Sequence, residues 1–395
     1  MSNIAGKHIL IIVENLPLPF DRRVWQEAIS LKEAGAKVSI ICPQMKGYTK
    51  RFESINGIDI YRHPLPLEAS GAIGYLLEYS TALFWEFFLA LKIFFKRRFD
   101  VIQGCNPPDL IFMVAIFFKL FGVKYVFDHH DINPELYIAK YNKKGFFYKT
   151  LLWVEKMTFK VADYSIATNE SYKEIAINRG KMEAHKVQVV RSGPKLDRLV
   201  KGPGNAKYKK GREFLVGYVG VIGEQEGLDL LLESVAHITK IRKDIHFAIV
   251  GGGTELENLK ILAEKLGISD FVDFYGRVED AVLVDVLNTS DVCVNPDRPT
   301  VMNDLSTMNK IMEYMALGKP IVQYNLKEGR FSAGIASLYA ENTDPRDFAH
   351  KIMSLINNPE QRNRMGEFGY QRVKNELSWE FESKKLLNFY SLILS

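Results

Sequence analysis

RSGPKLDRLVKGPGNAKYKKGRE, residues 191–213, divides this chain into two parts. The stretch is rich in Gly, Pro and Lys and lacks apolar periodicity, which is the composition of a linker. On either side of it, short apolar, β-branched runs alternate with amphipathic segments. That is the pattern of a parallel sheet covered by helices on both faces. Upstream, HILIIV, KVSIIC, GIDIYR, DVIQGC, KYVFD, YSIAT and VQVVR read as strands, with helices over roughly 21–34, 72–97, 109–121, 145–161 and 170–179. Downstream, FLVGYVG, HFAIVGG, FVDFYG, DVCVNP, PIVQY and ASLYA repeat the alternation. The fold class is therefore α/β, with two doubly wound, Rossmann-like domains and no sequence repeat between them. The expected boundaries are 1–198 and 199–377, followed by a closing segment, 378–395. That segment is an amphipathic helix whose Trp379, Phe381, Leu386, Leu387, Tyr390 and Leu394 need a surface to cover. The first domain is the expected surface. Ligands of open sheets bind beyond the carboxyl ends of the strands. Two such domains facing each other would form a cleft lined by strand-end loops of both.

The composition agrees with two ordinary globular cores. At 395 residues the chain exceeds what one core serves, and its 47% apolar and 25% charged fractions exclude disordered and collagen-like classes. MSNIAGK runs directly into the first strand without a cleavage site, so no signal peptide is read there. The longest uncharged apolar run, Leu110 to Phe118, is about half of the ~20 residues a membrane-spanning helix needs. Cys42, Cys105 and Cys293 are too scattered for a zinc site or a disulfide framework. They are expected as small buried side chains in a reducing compartment, which points to the cytoplasm. The net charge of +5 is unevenly divided. Residues 1–200 hold 28 Lys+Arg against 20 Asp+Glu, giving +8, and the remainder holds 24 against 27, giving −3.

The stretch DLSTMNKIMEYMALGKPIV, residues 304–322, carries the most chemistry. Met308, Ile311, Met312 and Met315 fall at helical spacing and form a buried stripe, while Ser306, Asn309, Lys310 and Glu313 occupy another face. Asp304 and Ser306 are N-cap candidates, and Gly318 ends the helix. A helix N-terminus at the carboxyl edge of a strand offers free N–H groups to a diphosphate. Lys310 would add a full charge, and Glu313 is within reach of a ribose. An amphipathic helix with a solvated polar face fits the same pattern.

The stretch resembles the signature region of retaining GT-B glycosyltransferases of family four, which usually read Glu-x7-Glu, then a short helix and G-x-P-V-V. Glu313 matches the second glutamate, and ALGKPIVQYN matches the helix end and the G-x-P-V-V segment. The resemblance extends to EAGAKVSIICP, KYVFDHHD, FYGRV and NPEQRNRMGEFGYQRVKNELSW. It implies a GT-B fold, a nucleotide-sugar donor between the two domains, retention of configuration, no metal and no cofactor beyond the donor. By resemblance Glu313 holds the nucleotide ribose, the His130–Asp131 pair lies beside the donor sugar, and Arg277 borders the base. The departures are specific. Leu305 stands at the first glutamate, with Asp304 the nearest carboxylate. In GVIGEQEG, residues 220–227, Val221 and Glu226 stand where the family commonly has arginine and lysine. Lys310, Arg22, Arg23 or Arg330 would then serve the diphosphate. A subgroup with PFDRRVWQEA openings and STMNKIMEYMALG helices shares these departures.

Other motifs bear alternative readings. Gly223 in GVIGEQEG follows a strand and allows close approach of backbone to phosphate, although the spacing is not G-x-G-x-x-G. The triplet Gly251–Gly253 reads first as a tight turn requiring positive φ. Asp128, His129, His130 and Asp131 are residue types that bind metals, but consecutive residues on a strand end point to opposite faces. No metal site is expected. His129 reads as a capping residue, and Glu135 as a first-turn helix residue or an active-site carboxylate. In PFDRRVWQEA, Asp21 caps a helix with Arg22 and Arg23 in its first turn, against the macrodipole unless an anion compensates. A salt bridge to Glu27 is the alternative for Arg23.

The resulting reading is a retaining, metal-independent glycosyltransferase. Amides of Ser306 and Thr307 with Lys310 would stabilise the leaving nucleoside diphosphate, and His130 would orient the sugar. The acceptor is a glycan or lipid-linked glycan, in cell-surface polysaccharide or lipopolysaccharide synthesis. FFLALKIFFKRRF (87–99) and KYNKKGFFYKTLLWVEKMTFK (140–160) suit peripheral contact with the inner face of an anionic membrane. Nucleic acid is not an expected partner, since no binding motif accompanies the charge. A nucleotide-sugar epimerase of the same fold and a non-catalytic partner subunit are the alternatives.

Overall fold

The computed structural model describes residues 3–65, 71–341 and 343–395. The chain forms two compact units, one of Met1–Ser192 with Glu382–Ser395 and one of Gly193–Phe381. The first contains strands β1 (His8–Val13), β2 (Lys37–Pro43), β3 (Phe52–Ile55), β4 (Ile58–His63), β5 (Val101–Cys105), β6 (Lys124–His129), β7 (Tyr164–Ala167) and β8 (Val187–Val189). Their order across the sheet is β3-β4-β2-β1-β5-β6-β7-β8. All neighbours run parallel except the β3–β4 pair. β1 and β5 are buried along their whole length, which is why they read as continuous apolar runs.

The second unit contains β9 (Phe214–Val219), β10 (Ile245–Val250), β11 (Val272–Gly276), β12 (Val292–Asn295), β13 (Ile321–Tyr324) and β14 (Ser337–Ala340). Their order is β11-β10-β9-β12-β13-β14, all parallel. Each sheet reverses direction of build beside its first strand, at β1/β5 and at β9/β12. The loops leaving those strands open at the switch points where ligands of doubly wound sheets bind.

Helices cover the sheets by burying one stripe each. The helix Leu228–Ile241 buries Leu228, Leu231, Leu232, Val235 and Ile238, the 3.6-residue repeat, against β9 and β10. The helix Arg22–Glu33 starts where the Asp21 carboxylate accepts from Val24 N at 3.1 Å. The closing helix runs Trp379–Ile393, and from Glu382 onward it belongs to the first unit, where Leu386, Phe389, Tyr390 and Ile393 are buried. Cys42, Cys105 and Cys293 are free and buried. Among the described residues no helix is long and apolar enough to cross a membrane.

Three local expectations are corrected. The helix expected from Asp304 is two helices, Val301–Leu305 and Asn309–Ala316. Thr300 caps the first, and the Ser306 hydroxyl donates back to Met302 O at 2.7 Å while its backbone turns extended. Neither Ser306 nor Asp304 is therefore an N-cap; Asp304 accepts from Lys327 N at 2.8 Å, and Met308 stands at the N-cap of the second helix. β3 and the helix Asn133–Tyr141 are additions that the apolar patterning does not reveal.

Candidate active site

In the first unit a buried charge cluster closes the carboxyl end of the sheet. Arg23 projects from the first turn of its helix and is 8% exposed. Its Nη2 donates to Asp128 Oδ1 at 3.1 Å and lies 3.0 Å from Glu27 Oε1. Its Nη1 donates to Val190 O at 2.9 Å and to Ser192 Oγ at 3.1 Å, and its Nε lies 2.9 Å from His130 Nε2. Nε2 of His130 is also 2.8 Å from Asp128 Oδ2. The expected Arg23–Glu27 salt bridge exists, but as one edge of this larger cluster. The macrodipole conflict at Arg23 is thus met by two protein carboxylates.

Burial opposes every charge in the cluster, and partners decide the outcome. Burial would raise Asp128, but His130 and Arg23 outweigh it and hold the carboxyl far below its ordinary range. Glu27 is pushed up to about 8 by burial and then by Asp128. Burial would lower His130, but Asp128 outweighs it and holds the imidazole above its ordinary value. Gln103 Nε2 donates to both carboxylates, at 2.7 Å to Glu27 Oε2 and 2.8 Å to Asp128 Oδ2. Cys105 Sγ, an Asp128 oxygen and a His130 nitrogen lie within 4.8 Å of one another, donors of metal-ligand type from the ends of β5 and β6 and the residue after β6. The guanidinium of Arg23 already supplies the positive charge among them.

Asp131 flanks this cluster, and burial raises its carboxyl. Asn106 fastens both backbones there: its Oδ1 accepts from His130 N at 2.6 Å and from Asp131 N at 3.1 Å. His129 is no cap. Its ring stacks on Phe127 at 5.2 Å and meets Phe159 and Tyr172, and burial pushes it down to about 3. Glu135 is not an open carboxylate either. Arg179 holds it at 2.6 Å and holds Glu155 at 2.5 Å, so Glu135 belongs to a structural ion triad. Arg22, next to Arg23, is exposed.

In the second unit Lys310 lies under the loop after β9. Its Nζ is 2.8 Å from Asp297 Oδ1, and the two side chains are 11% and 1% exposed. The ammonium sits 5.0 Å from the centre of the Tyr218 ring, whose hydroxyl donates to Val221 O at 2.7 Å. Burial works against the charge, but Asp297, Tyr218 and Glu226 outweigh it and hold Lys310 above its ordinary range. Lys310 therefore does not sit on a solvated polar stripe, the arrangement its helical spacing suggests. Glu226 folds back to accept from Gly223 N at 3.1 Å, and burial raises its carboxyl.

The glycines of this region serve close backbone approach. A Cβ at Gly251, where φ is +144°, would lie 1.8 Å from Gly220 O, and one at Gly253 would lie 2.2 Å from Ile222 O. The triplet is thus more than a turn: it lets the loops after β9 and β10 touch, joined by Ile222 N donating to Gly252 O at 3.1 Å. Glu313 forms a close ion pair with Arg198, whose Nη1 is 3.4 Å from Asp280 Oδ1. Asn309 and Arg277 are exposed, Arg277 beside Gly252. Ser306 and Thr307 lie in the extended break between the two helices. Arg330 lies elsewhere, over the Tyr339 ring at a cavity of about 500 Å³ that Arg364 and Met365 also line.

Asp297, Arg198, Tyr218, Gln103 and Asn106 carry no motif and escape sequence reasoning. Three further polar groups stand out at the strand ends. Asn295 and Gln323, opposed in register on β12 and β13, are buried with unpartnered amide atoms, as is Asp297 Oδ2. Unpaired buried polar atoms cost about 1–3 kcal/mol each, and three of these four are oxygens, which would take hydroxyl or N–H donors of a polar ligand.

Both units resemble known proteins. Residues 21–198 match the family model described as Glycosyltransferase Family 4, and residues 205–372 match Glycosyl transferases group 1. The chain is 27% identical over 222 residues to a D-inositol 3-phosphate glycosyltransferase of Corynebacterium jeikeium, a match spanning 52% of this chain and 51% of that protein. It is 26% identical over 339 residues to the capsular polysaccharide biosynthesis glycosyltransferase CapM of Staphylococcus aureus, covering 80% and 84%. Among solved structures, sucrose-phosphate synthase from Thermosynechococcus elongatus superposes with a TM-score of 0.80 at 19% identity, over 98% of this chain and 99% of that one. HepE from Anabaena in complex with UDP-glucose gives 0.73 at 15% identity, over 98% and 99%. At these identities the structural likeness establishes the fold alone.

Proposed function

The chain is built as a glycosyltransferase of the GT-B type, a Family 4 segment followed by a group 1 segment, and from that premise we propose that it transfers a sugar from a UDP- or GDP-sugar to a glycan or lipid-linked glycan with retention of configuration. The observation that carries the reading is Lys310 seated beneath the loop after β9, at the β9/β12 switch point, with Glu313 one turn along the same helix. In the reaction, the bond from the anomeric carbon to the β-phosphate oxygen breaks. A bond from the acceptor oxygen forms on the same face, and the acceptor proton passes to the leaving phosphate. Lys310 and the N-terminal amides of its helix offset the charge that develops on the diphosphate. That charge stabilisation supports a metal-independent transfer. Glu313, steadied by Arg198, takes the ribose hydroxyls, and Arg277 borders the base. Nε2 of His130 faces inward, accepting from Arg23 when unprotonated or donating to Asp128 when protonated, so Nδ1 is left to meet a sugar hydroxyl.

The HepE complex supports a nucleotide-sugar donor, and CapM supports an acceptor in cell-surface polysaccharide synthesis. An acceptor at the inner face of a membrane is supported by the first unit's surface. Phe84, Phe88 and Phe95 on the helix Gly71–Lys96 are exposed, as are Met113, Ile116 and Leu120 on and after Phe112–Lys119. Phe146 and Trp153 on Phe146–Val161 are also exposed. Lysines interleave these aromatic rings, the composition that suits anionic lipid.

The test is product analysis after incubating UDP- and GDP-sugars with lipid-linked glycans. The reading expects a new glycosidic bond with the donor's anomeric configuration. A donor converted to its epimer with no acceptor present would replace transfer by epimerisation.

A further inference from the structure

We propose that Tyr390, on the closing helix, is a positioning residue for His130, acting through the Gln103 amide and the Asp128 and Glu27 carboxylates. The inference rests on the reading of His130 as a sugar-side group. Tyr390 is fully buried in the first unit, and its hydroxyl donates to Gln103 Oε1 at 2.5 Å. That contact decides which way the amide faces. With Oε1 held by Tyr390, Nε2 is left to donate to both carboxylates, at 2.7 and 2.8 Å. Without the hydroxyl, the amide oxygen loses its donor and can turn to accept from a protonated Glu27, which favours the neutral carboxyl.

The orientation matters because the cluster has two neutral arrangements. With a proton on His130, the charges of Arg23, His130, Asp128 and Glu27 cancel. With the proton on Glu27, only Arg23 and Asp128 are charged, and they also cancel. A proton can therefore sit at either end without a change in buried charge, the larger cost in a low-dielectric interior. Two N–H groups of Gln103 aimed at the carboxylates stabilise both of them ionised and so favour the proton on His130.

The closing helix also holds the cluster from the far side. Glu382, fully buried, accepts from Arg191 N at 2.8 Å. This fixes residues 190–192, whose Val190 O and Ser192 Oγ take the two bonds from Arg23 Nη1. The groups around His130 are Arg23 and Glu27 on the capped helix with Asp21 at its start, Cys105 on β5, and Asp128, His129 and Asp131 at the end of β6, where burial keeps His129 neutral. Burial holds the Cys105 thiol far above its ordinary range, so it does not compete for the proton.

The experiment follows the imidazole of His130 by two-dimensional 1H–15N spectra of the histidine-labelled full chain. With eight histidines, His130 is assigned from the spectrum of His130→Gln. In Tyr390→Phe, which preserves the ring, the midpoint of His130 should fall by about one pH unit. Gln103→Leu, which keeps Tyr390 and removes the relay, should move it the same way. Turnover should fall in both while the donor KM stays. An unchanged His130 midpoint in both folded variants would overturn the coupling. Full turnover in His130→Ala would instead overturn the sugar-side reading and leave the titration result standing.

Discussion

Lys310 Nζ lies 2.8 Å from Asp297 Oδ1, so the cation we propose for the donor diphosphate is already paired with a carboxylate that is 1% exposed. The family's usual clamp residues are replaced by Val221 and Glu226. The pair makes Lys310 a cation held in place before the ligand arrives, with its charge partly offset. Removing either partner should have opposite consequences for binding.

Lys310→Ala leaves Asp297 buried and unpaired, which should cost about 3–5 kcal/mol of stability. Urea unfolding should show the loss together with weak nucleotide binding. Asp297→Asn keeps the shape and frees the ammonium, so diphosphate affinity should rise while stability falls less. Equal effects of both variants on nucleotide affinity would contradict the pairing.

Arg23 joins Glu27, Asp128, His130, Val190 and Ser192, so its truncation should resemble the loss of a buried ion-pair partner. Arg23→Ala should lower unfolding stability by about 3–5 kcal/mol. Arg23→Lys restores the charge without the planar fork. It should recover stability in part and leave turnover depressed about tenfold or more, measured by donor consumption.

Glu86 is fully buried, neither carboxyl oxygen has a partner, and burial with Glu14 nearby pushes it up to about 8. Its folded value lies above the unfolded value of 4.5. The contribution to stability is therefore fully present below pH 4.5 and is lost progressively as pH rises to about 8. Glu86→Met should flatten that decline, raising Tm at pH 8 and leaving it nearly unchanged at pH 4.5. An equal shift at both pH values would show that packing, not ionisation, governs the site.

Phe95, Leu120 and Phe146 are 83%, 81% and 78% exposed. Replacing all three by Ser should leave thermal unfolding unchanged and weaken co-sedimentation with anionic phospholipid vesicles more than tenfold, since burial of such side chains is worth about 1.5–3 kcal/mol each. Absence of vesicle binding by the native chain, with dimerisation through this face, would assign the surface to a second copy.

The fold is legible in the sequence because its central strands are buried on both faces and so appear as apolar runs bounded by turns. β3 escapes because it is a half-exposed, antiparallel edge strand, FESI, without such a run. The helix Asn133–Tyr141 escapes because Pro134 is its one buried residue, leaving no stripe to read. The break at Ser306 is hidden because the repeat of Met308, Ile311, Met312 and Met315 begins only after it, and Asp304 and Ser306 are residue types that cap helices. Lys310, Glu313 and His130 can be named from motifs, but their partners cannot. Asp128 is 105 residues from Arg23, and Arg198 is 115 from Glu313, distances that only topology closes.

The proposed transfer depends on nucleotide-sugar binding by the second unit through Lys310 and Glu313. A thermal-shift panel of UDP-, GDP- and ADP-sugars on the native chain and on Glu313→Ala tests it most directly. At 100 times its dissociation constant a donor stabilises by about 2.7 kcal/mol. One base class should therefore raise Tm by several degrees in the native chain, and the shift should largely vanish in the variant. No shift with any nucleotide-sugar, or the same shift in Glu313→Ala, would contradict the account.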